Sequence, residues 1–419
     1  MAVFMLLLTS FEAKKMGRKR IFLRMIMLMV CLVYGCTGIR ELAVPDTDDE
    51  DIWTGPGANI GESERSTCYV TAIDYPAGYD WNSGGGEESV RCSLVVFADA
   101  VPKLKLPIGK VHEVSADPDM HRIADGNLYT IFCSEGNTVI KKDGKAFLRY
   151  EGEESVRGMV AADECIYTLG VPREGSGFTY RKNGELLMER RTGYVYERLN
   201  LDNEKTCFAF CQPVTTSDGT EERYYMVRNG RISMVEFPEE VTRVWDIMSV
   251  EGKTCAAVSA GPWNTVTLIA GKEEKMVILP HGAEMTSCRL FSSGSDICIE
   301  GMYTKADGTI ASGIWVEGEQ YMLFETGQTI SAVCSSDKDI CCVLNPDEDN
   351  ESGIIFKNGR SHIMPDGYRC TGSMPVAVHD GILYAALTSL TARRPVLWKD
   401  GKTDSLKLNG PVCSVTICL

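Results

Sequence analysis

The sequence predicts an all-β chain folded as a β-propeller, most simply of eight four-stranded blades closed by the C-terminal strand. Three observations predict it. A turn dipeptide returns about every 43 residues, a compact apolar run precedes each turn, and the two ends of the repeat array complement each other.

The turn reads Asp143-Gly144, Asn183-Gly184, Asn229-Gly230, Ala270-Gly271, Glu317-Gly318, Asn358-Gly359 and Asp400-Gly401. Successive glycines lie 40, 46, 41, 47, 41 and 42 residues apart. Asn-Gly and Asp-Gly favour the two positive φ angles of a type I′ hairpin turn. Apolar runs flank each turn, as with Ile314-Trp315 and Tyr321-Met322-Leu323-Phe324, so each marks a β-hairpin.

The apolar runs upstream occupy residues 128–131, 166–169, 207–210, 255–258, 297–299, 340–343 and 383–386. They lack polar alternation, so both faces are expected to be buried, as stacked blades require. A polar turn and one further strand precede several of them, for instance residues 244–247 and 376–378. Each unit then holds four strands, A to D.

The ends argue for closure. Residues 69–72, 94–97 and 104–106 supply strands B, C and D of a first unit, whose turn Asp99-Ala100 lies 44 residues before Gly144. That unit lacks an A strand, and residues 414–417 form an A strand with no B strand after it. Pairing the two removes an exposed sheet edge, whereas an open array would need capping units. A degenerate unit would reduce the ring to seven or six blades.

Residues 1–36 read as a signal peptide. Arg18-Lys19-Arg20 precedes an apolar run from Met25 to Val33, too short to span a bilayer comfortably. Val33-Tyr34-Gly35-Cys36 resembles a bacterial lipobox, which implies lipid attachment at Cys36 and export to the cell envelope on the outer membrane. Met16 is an alternative start. Residues 37–65, with an acidic run from Asp46 to Asp51 and Gly55, Pro56, Gly57 and Gly61, read as a flexible tether. Residues 66–419 then form a single propeller domain, expected to be monomeric.

Phe356-Lys357-Asn358-Gly359 and Trp398-Lys399-Asp400-Gly401 resemble the Trp-Lys-Asn-Gly hairpins of repeat-containing propeller lipoproteins of Bacteroides-like bacteria. The resemblance covers nearly the whole mature chain and implies architecture without an activity. Ala270-Gly271 and Asp99-Ala100 depart from the motif.

The net charge of −15 argues against nucleic acid and against adsorption to anionic lipid. The five His, His112, His121, His281, His362 and His379, show no zinc-type spacing. There is no phosphate-binding glycine loop and no Gly-x-Ser-x-Gly elbow. The acidic segment 345–351 lacks the turning glycine of a Ca²⁺ loop. No catalytic residue, cofactor or metal is therefore expected. Many of the 17 Cys fall on apolar strands, at positions 165, 207, 255, 298, 341 and 342, and read as core thiols. Cys413 or Cys418 could pair with Cys68 across the closing blade.

B–C and D–A loops gather on one face, and long loops on a rigid scaffold often bind ligands. The longest, residues 74–91, holds Tyr75, Tyr79 and Trp81, and Trp263 lies in the equivalent loop of the fifth blade. These four are the candidate ligand-binding residues. Trp245, Trp315 and Trp398 read as core. The leading expectation is a non-catalytic binding module for a glycan, peptide or protein partner. The alternatives are an extracellular polysaccharide hydrolase or lyase with a top-face carboxylate site, and a structural or assembly subunit.

Overall fold

The computed structural model describes residues 53–54, 67–79, 91–110, 121–124, 127–134, 136–162, 165–172, 177–196, 199–217, 219–261, 265–324, 328–336, 339–346, 353–364, 367–370, 375–389 and 394–418. Every named element is a strand, and the strands form eight antiparallel sheets. Each is a meander of four main strands, the A strand innermost and the D strand outermost, so the eight sheets are the blades of a propeller. The A strands of blades 4 and 8 are each split into two short pieces.

The seam lies in blade 1. Val412–Cys418 pairs antiparallel with Thr67–Asp74, with Thr67 opposite Cys418 and Val70 opposite Val415. Thr71 Oγ1 and Ser414 Oγ share a buried hydrogen bond of 2.7 Å across that pairing.

Burial follows the blades. Eight apolar clusters each draw residues from two consecutive blades. Val70 and Val95 meet Tyr384 and Leu397 between blades 8 and 1, and Leu94 and Val96 meet Leu128 between blades 1 and 2. The apolar B and C strands are sandwiched between neighbours, so they need no polar alternation. Trp245, Trp315 and Trp398 are all buried.

The recurring turn does two jobs. Asp143 and Asn183 have φ of 51° and 48°, and the glycines after them 80° and 78°. The same side chains also accept an N–H at the start of the B strand: Leu128 donates to Asp143 Oδ1 at 2.8 Å, and Ile166 to Asn183 Oδ1 at 2.9 Å. Asp99, Asn358, Asp400 and, with a longer side chain, Glu317 make the equivalent bond. A short acceptor that tolerates positive φ is thus what the position demands. In blade 5 the turn residues are Gly271 and Lys272, one position later than the dipeptide Ala270-Gly271 indicates. Ala270 cannot supply the acceptor, and Gly271 takes the first turn position with φ of 63°.

One further expectation changes. Cys68 and Cys413 belong to different clusters, Cys68 toward blade 8 and Cys413 toward blade 2. They lie on opposite faces of blade 1, so a bridge between Cys68 and Cys413 does not form; the side chain of Cys418 lies outside the described residues. Within the 37–65 tether, Trp53–Thr54 adds a short fifth strand outside Val101–Lys110, because a D strand offers unpaired backbone groups. Cys36, Trp81 and Trp263 lie outside the described residues.

Candidate functional site

Meander order places the A–B and C–D turns on one face and the longer B–C and D–A loops on the other. Inner strands therefore begin at the long-loop face. Four of them carry a bulge whose extra residue is exposed: Arg157 in Glu154–Ala162, Thr242 in Val241–Val250, Thr286 in Glu284–Ser293 and Ser331 in Gln328–Ser335. A bulge leaves one residue unpaired and re-aims its side chain, a device common beside binding sites. Thr242 and Thr286 donate to carbonyls of their own blades, at Ser259 and Met302, which leaves their oxygens as acceptors.

The cavity of interest, about 380 Å³, lies between blades 3 and 4 and is lined by Arg157, Leu169, Val171, Gly177, Gly193, Tyr194, Val195 and Tyr196. Backbone contacts too close for any side chain build its walls. A Cβ on Gly193 would sit 2.2 Å from the Cys211 carbonyl oxygen, and one on Gly177 1.8 Å from that of Arg190. Gly158, beside the bulge, lets Leu199 of blade 4 approach, since a Cβ there would fall 2.6 Å from Leu199 Cβ.

Tyr194 is 45% exposed and its ring lies 4.8 Å from that of Tyr196. The Tyr196 hydroxyl donates to the Val244 carbonyl of blade 5 at 3.4 Å. Its single proton being so used, Tyr194 donates to Tyr196 at 2.5 Å and keeps its own oxygen as an acceptor. Burial pushes Tyr194 up to about 12 and Tyr196 higher still, so both are neutral phenols at physiological pH. Among the described residues of the lining, Arg157 is then the one charged side chain. The nearby Glu222 carboxylate accepts the Tyr224 hydroxyl at 2.8 Å.

Of the residues expected to bind ligand, Tyr75 is buried among Ile73, Cys92, Leu94 and Cys413, and Tyr79 packs on it with ring centroids 5.0 Å apart. Tyr75 continues the inward alternation of Thr67–Asp74, so its ring is not open for stacking. Asn409 Nδ2 clips this loop by donating to the carbonyls of Pro76 and Tyr79 at 2.8 and 3.3 Å.

Arg157, Tyr194 and Tyr196 do not emerge from the search for long aromatic loops. A signal for the arginine existed: Arg122, Arg157, Arg243, Arg289 and Arg369 each stand on the inner strand of a different blade. Arg243 stacks its guanidinium 3.7 Å from the Trp245 ring centre, and Arg289 pairs with Glu300 at 2.6 Å. Among the described residues no group of three or more His, Cys, Asp or Glu forms a metal site.

A second groove, about 610 Å³, lies on the outer rim between blades 5 and 6, lined by residues including Met276, Ile278, Glu317, Glu319 and Tyr321. Glu317 accepts the Ile297 N–H at 2.6 Å and pairs with Lys275. Burial works against its charge, but these two partners outweigh it and hold the carboxyl below its usual value.

No family model matches this chain, and no curated protein does. Among solved structures, it is similar to an acylaminoacyl peptidase from Pyrococcus horikoshii, with 10% identity over 73% of this chain and 51% of that one, TM-score 0.43. The β-propeller domain of the Trilobed protease from Pyrococcus furiosus matches at 11% identity over 70% and 91% of the two chains, TM-score 0.42. Oligopeptidase B from Leishmania major matches at 8% identity over 72% and 50%, TM-score 0.43. The chain spans about half the length of the acylaminoacyl peptidase and of oligopeptidase B.

Proposed function

We propose that this protein is a non-catalytic binding module that holds a glycan, peptide or protein partner at its long-loop face, presented at the cell envelope by a lipid on Cys36. The blade 3/4 cavity carries the reading. It joins an exposed tyrosine ring and hydroxyl with an arginine on rigid inner strands, an arrangement suited to recognition. Among the described residues its lining holds no carboxylate, whereas a polysaccharide hydrolase needs an acid pair flanking the bond. In the outer groove Glu317 is held ionised by its partners and is unsuited to act as a general acid.

Glycan arrays and peptide pull-downs with the soluble chain are expected to return a ligand whose binding Tyr194→Ala weakens at unchanged melting temperature. Blank screens, or a ligand indifferent to that change, would count against the site. For the anchor, Cys36→Ala is expected to abolish incorporation of a labelled fatty acid and release the protein from the membrane fraction. Labelling that survives the substitution would remove that part.

A structural or assembly subunit is the second reading. The exposed Met276, Ile278 and Tyr321 of the outer groove favour it.

A further inference from the structure

We propose that Cys334 and Cys341 are a redox-active thiol pair, oxidised to a disulfide that ties the A strand of blade 7 to its B strand. The pair sits near the A–B turn, away from the long-loop face, and needs no ligand there.

Register brings the two together. Gln328–Ser335 runs antiparallel to Ile340–Pro346, and Cys334 stands directly opposite Cys341. Among the described residues no other strand pairing sets one Cys opposite another. The Ser336 N–H donates to the Asp339 carbonyl at 2.9 Å, and no bulge falls between that bond and the two Cys. Two residues further along, Cys334 and Cys341 therefore occupy a hydrogen-bonded position of the same kind. Such a position holds its Cα atoms about 5.5 Å apart, inside the range a disulfide spans. The Cys341 thiol lies within hydrogen-bonding reach of Cys334.

The hairpin that carries the pair is held on both sides. Ser335 Oγ donates to the Ser292 carbonyl at 2.5 Å, and Ser293 Oγ to the Ser336 carbonyl at 2.7 Å, which joins it to blade 6. On its other face both Cys belong to the apolar cluster shared with Leu383, Val396 and Trp398 of blade 8. The thiols thus meet in a fixed frame, and a bridge can form without moving the backbone. Two further thiols nearby are directed elsewhere. Cys342 alternates to the opposite face of its strand, among Cys298 and Ile314 of blade 6. Cys370 donates its thiol to the Ala386 carbonyl at 3.5 Å.

The oxidant is itself a disulfide, of the kind that oxidising compartments supply. It reaches Cys334 first, because Cys341 is 1% exposed and Cys334 is only partly buried. Cys334 gives its proton to solvent and attacks one oxidant sulfur, which forms a mixed disulfide and releases one thiolate. Cys341 then gives up its proton and attacks Cys334 Sγ, which releases the second thiolate. Both thiolates take up protons, so the pair has lost two electrons and two protons and the oxidant has become two thiols. The hydrogen bond from Cys341 and burial both push the Cys334 thiol up, so its thiolate is scarce and exchange is slow.

The test is incubation of the purified, reduced protein with oxidised glutathione to completion, followed by alkylation, tryptic digestion and mass spectrometry. Lys338 separates the two Cys, so the bridge is read as two joined peptides whose mass is two hydrogens below their sum. Fragment ions distinguish Cys341 from its neighbour Cys342. The expected result is a Cys334–Cys341 link that dithiothreitol removes and that Cys341→Ala lacks. Oxidation should raise the melting temperature by about 2–4 °C in the parent chain and not in the variant. Melting curves establish that the variant is folded, and if it is not, the fragment spectrum of the parent chain decides. Glutathione retained on Cys334 without a link, a link to Cys342 or Cys370, or both thiols alkylated and unlinked overturns the pair. A correct link with an unchanged melting temperature overturns the tie between the strands.

Discussion

Asp246 shows how much one side chain can carry in this ring. It sits on the inner strand of blade 5 and accepts the Leu290 N–H of blade 6 at 2.8 Å and its neighbour Ile247 N–H at 2.9 Å. Burial pushes its carboxyl up to about 7, against the pull of those two donors and of Arg289. In the unfolded chain it ionises near 3.8. Below that pH both states hold the proton and its contribution to stability is complete. As pH rises from there through 7 the unfolded chain gives up its proton first, so stability falls, by on the order of 4 kcal/mol in total. Denaturant titrations from pH 4 to 8 should show that decline, and Asp246→Asn should flatten it. An unchanged slope in the variant would assign the decline to other groups. Nothing in the sequence marks Asp246, because its partner is a backbone N–H 44 residues away. Tyr194 and Arg157 were hidden for the same reason, since a cavity between blades is a property of two units at once. Tyr75 misled in the opposite sense: an aromatic at a loop entrance looks available until the strand before it is seen to direct it inward.

At the scale of the element the hairpin was legible, and its chemistry proves fuller than turn propensity. In blades 2, 3, 6, 7 and 8 the residue before the glycine combines positive φ with an oxygen that caps the neighbouring strand. Asn183→Ala removes both, straining the turn and leaving the Ile166 N–H without its acceptor, at a cost of about 1–3 kcal/mol. Asn183→Asp should keep most of the stability, because Asp fills this position in blades 1, 2 and 8. Chemical denaturation of the two variants checks the ranking, and equal losses would contradict the capping role. Blade 5 is the natural counterpart, where a sequence without the acceptor moves its turn by one residue and places glycine first. That shift could not be read from the dipeptide, since Ala-Gly fits the repeat spacing but not the hydrogen bond.

At the scale of the molecule, every blade relies on both neighbours, because each apolar cluster belongs to two blades. The repeat period and the complementary ends carried enough information for the eight-bladed ring. The ligand did not show, because the repeating residues are those that build blades and the site uses positions where blades differ. One ring closure supports the whole, so the strand Val412–Cys418 is a structural member and not a tail. The direct test is thermal unfolding, with sizing by light scattering, of a chain lacking residues 412–419. Loss of the cooperative transition, or association through the exposed edge of Thr67–Asp74, is the result that closure predicts. A soluble, monomeric truncation with an unchanged melting temperature would contradict it.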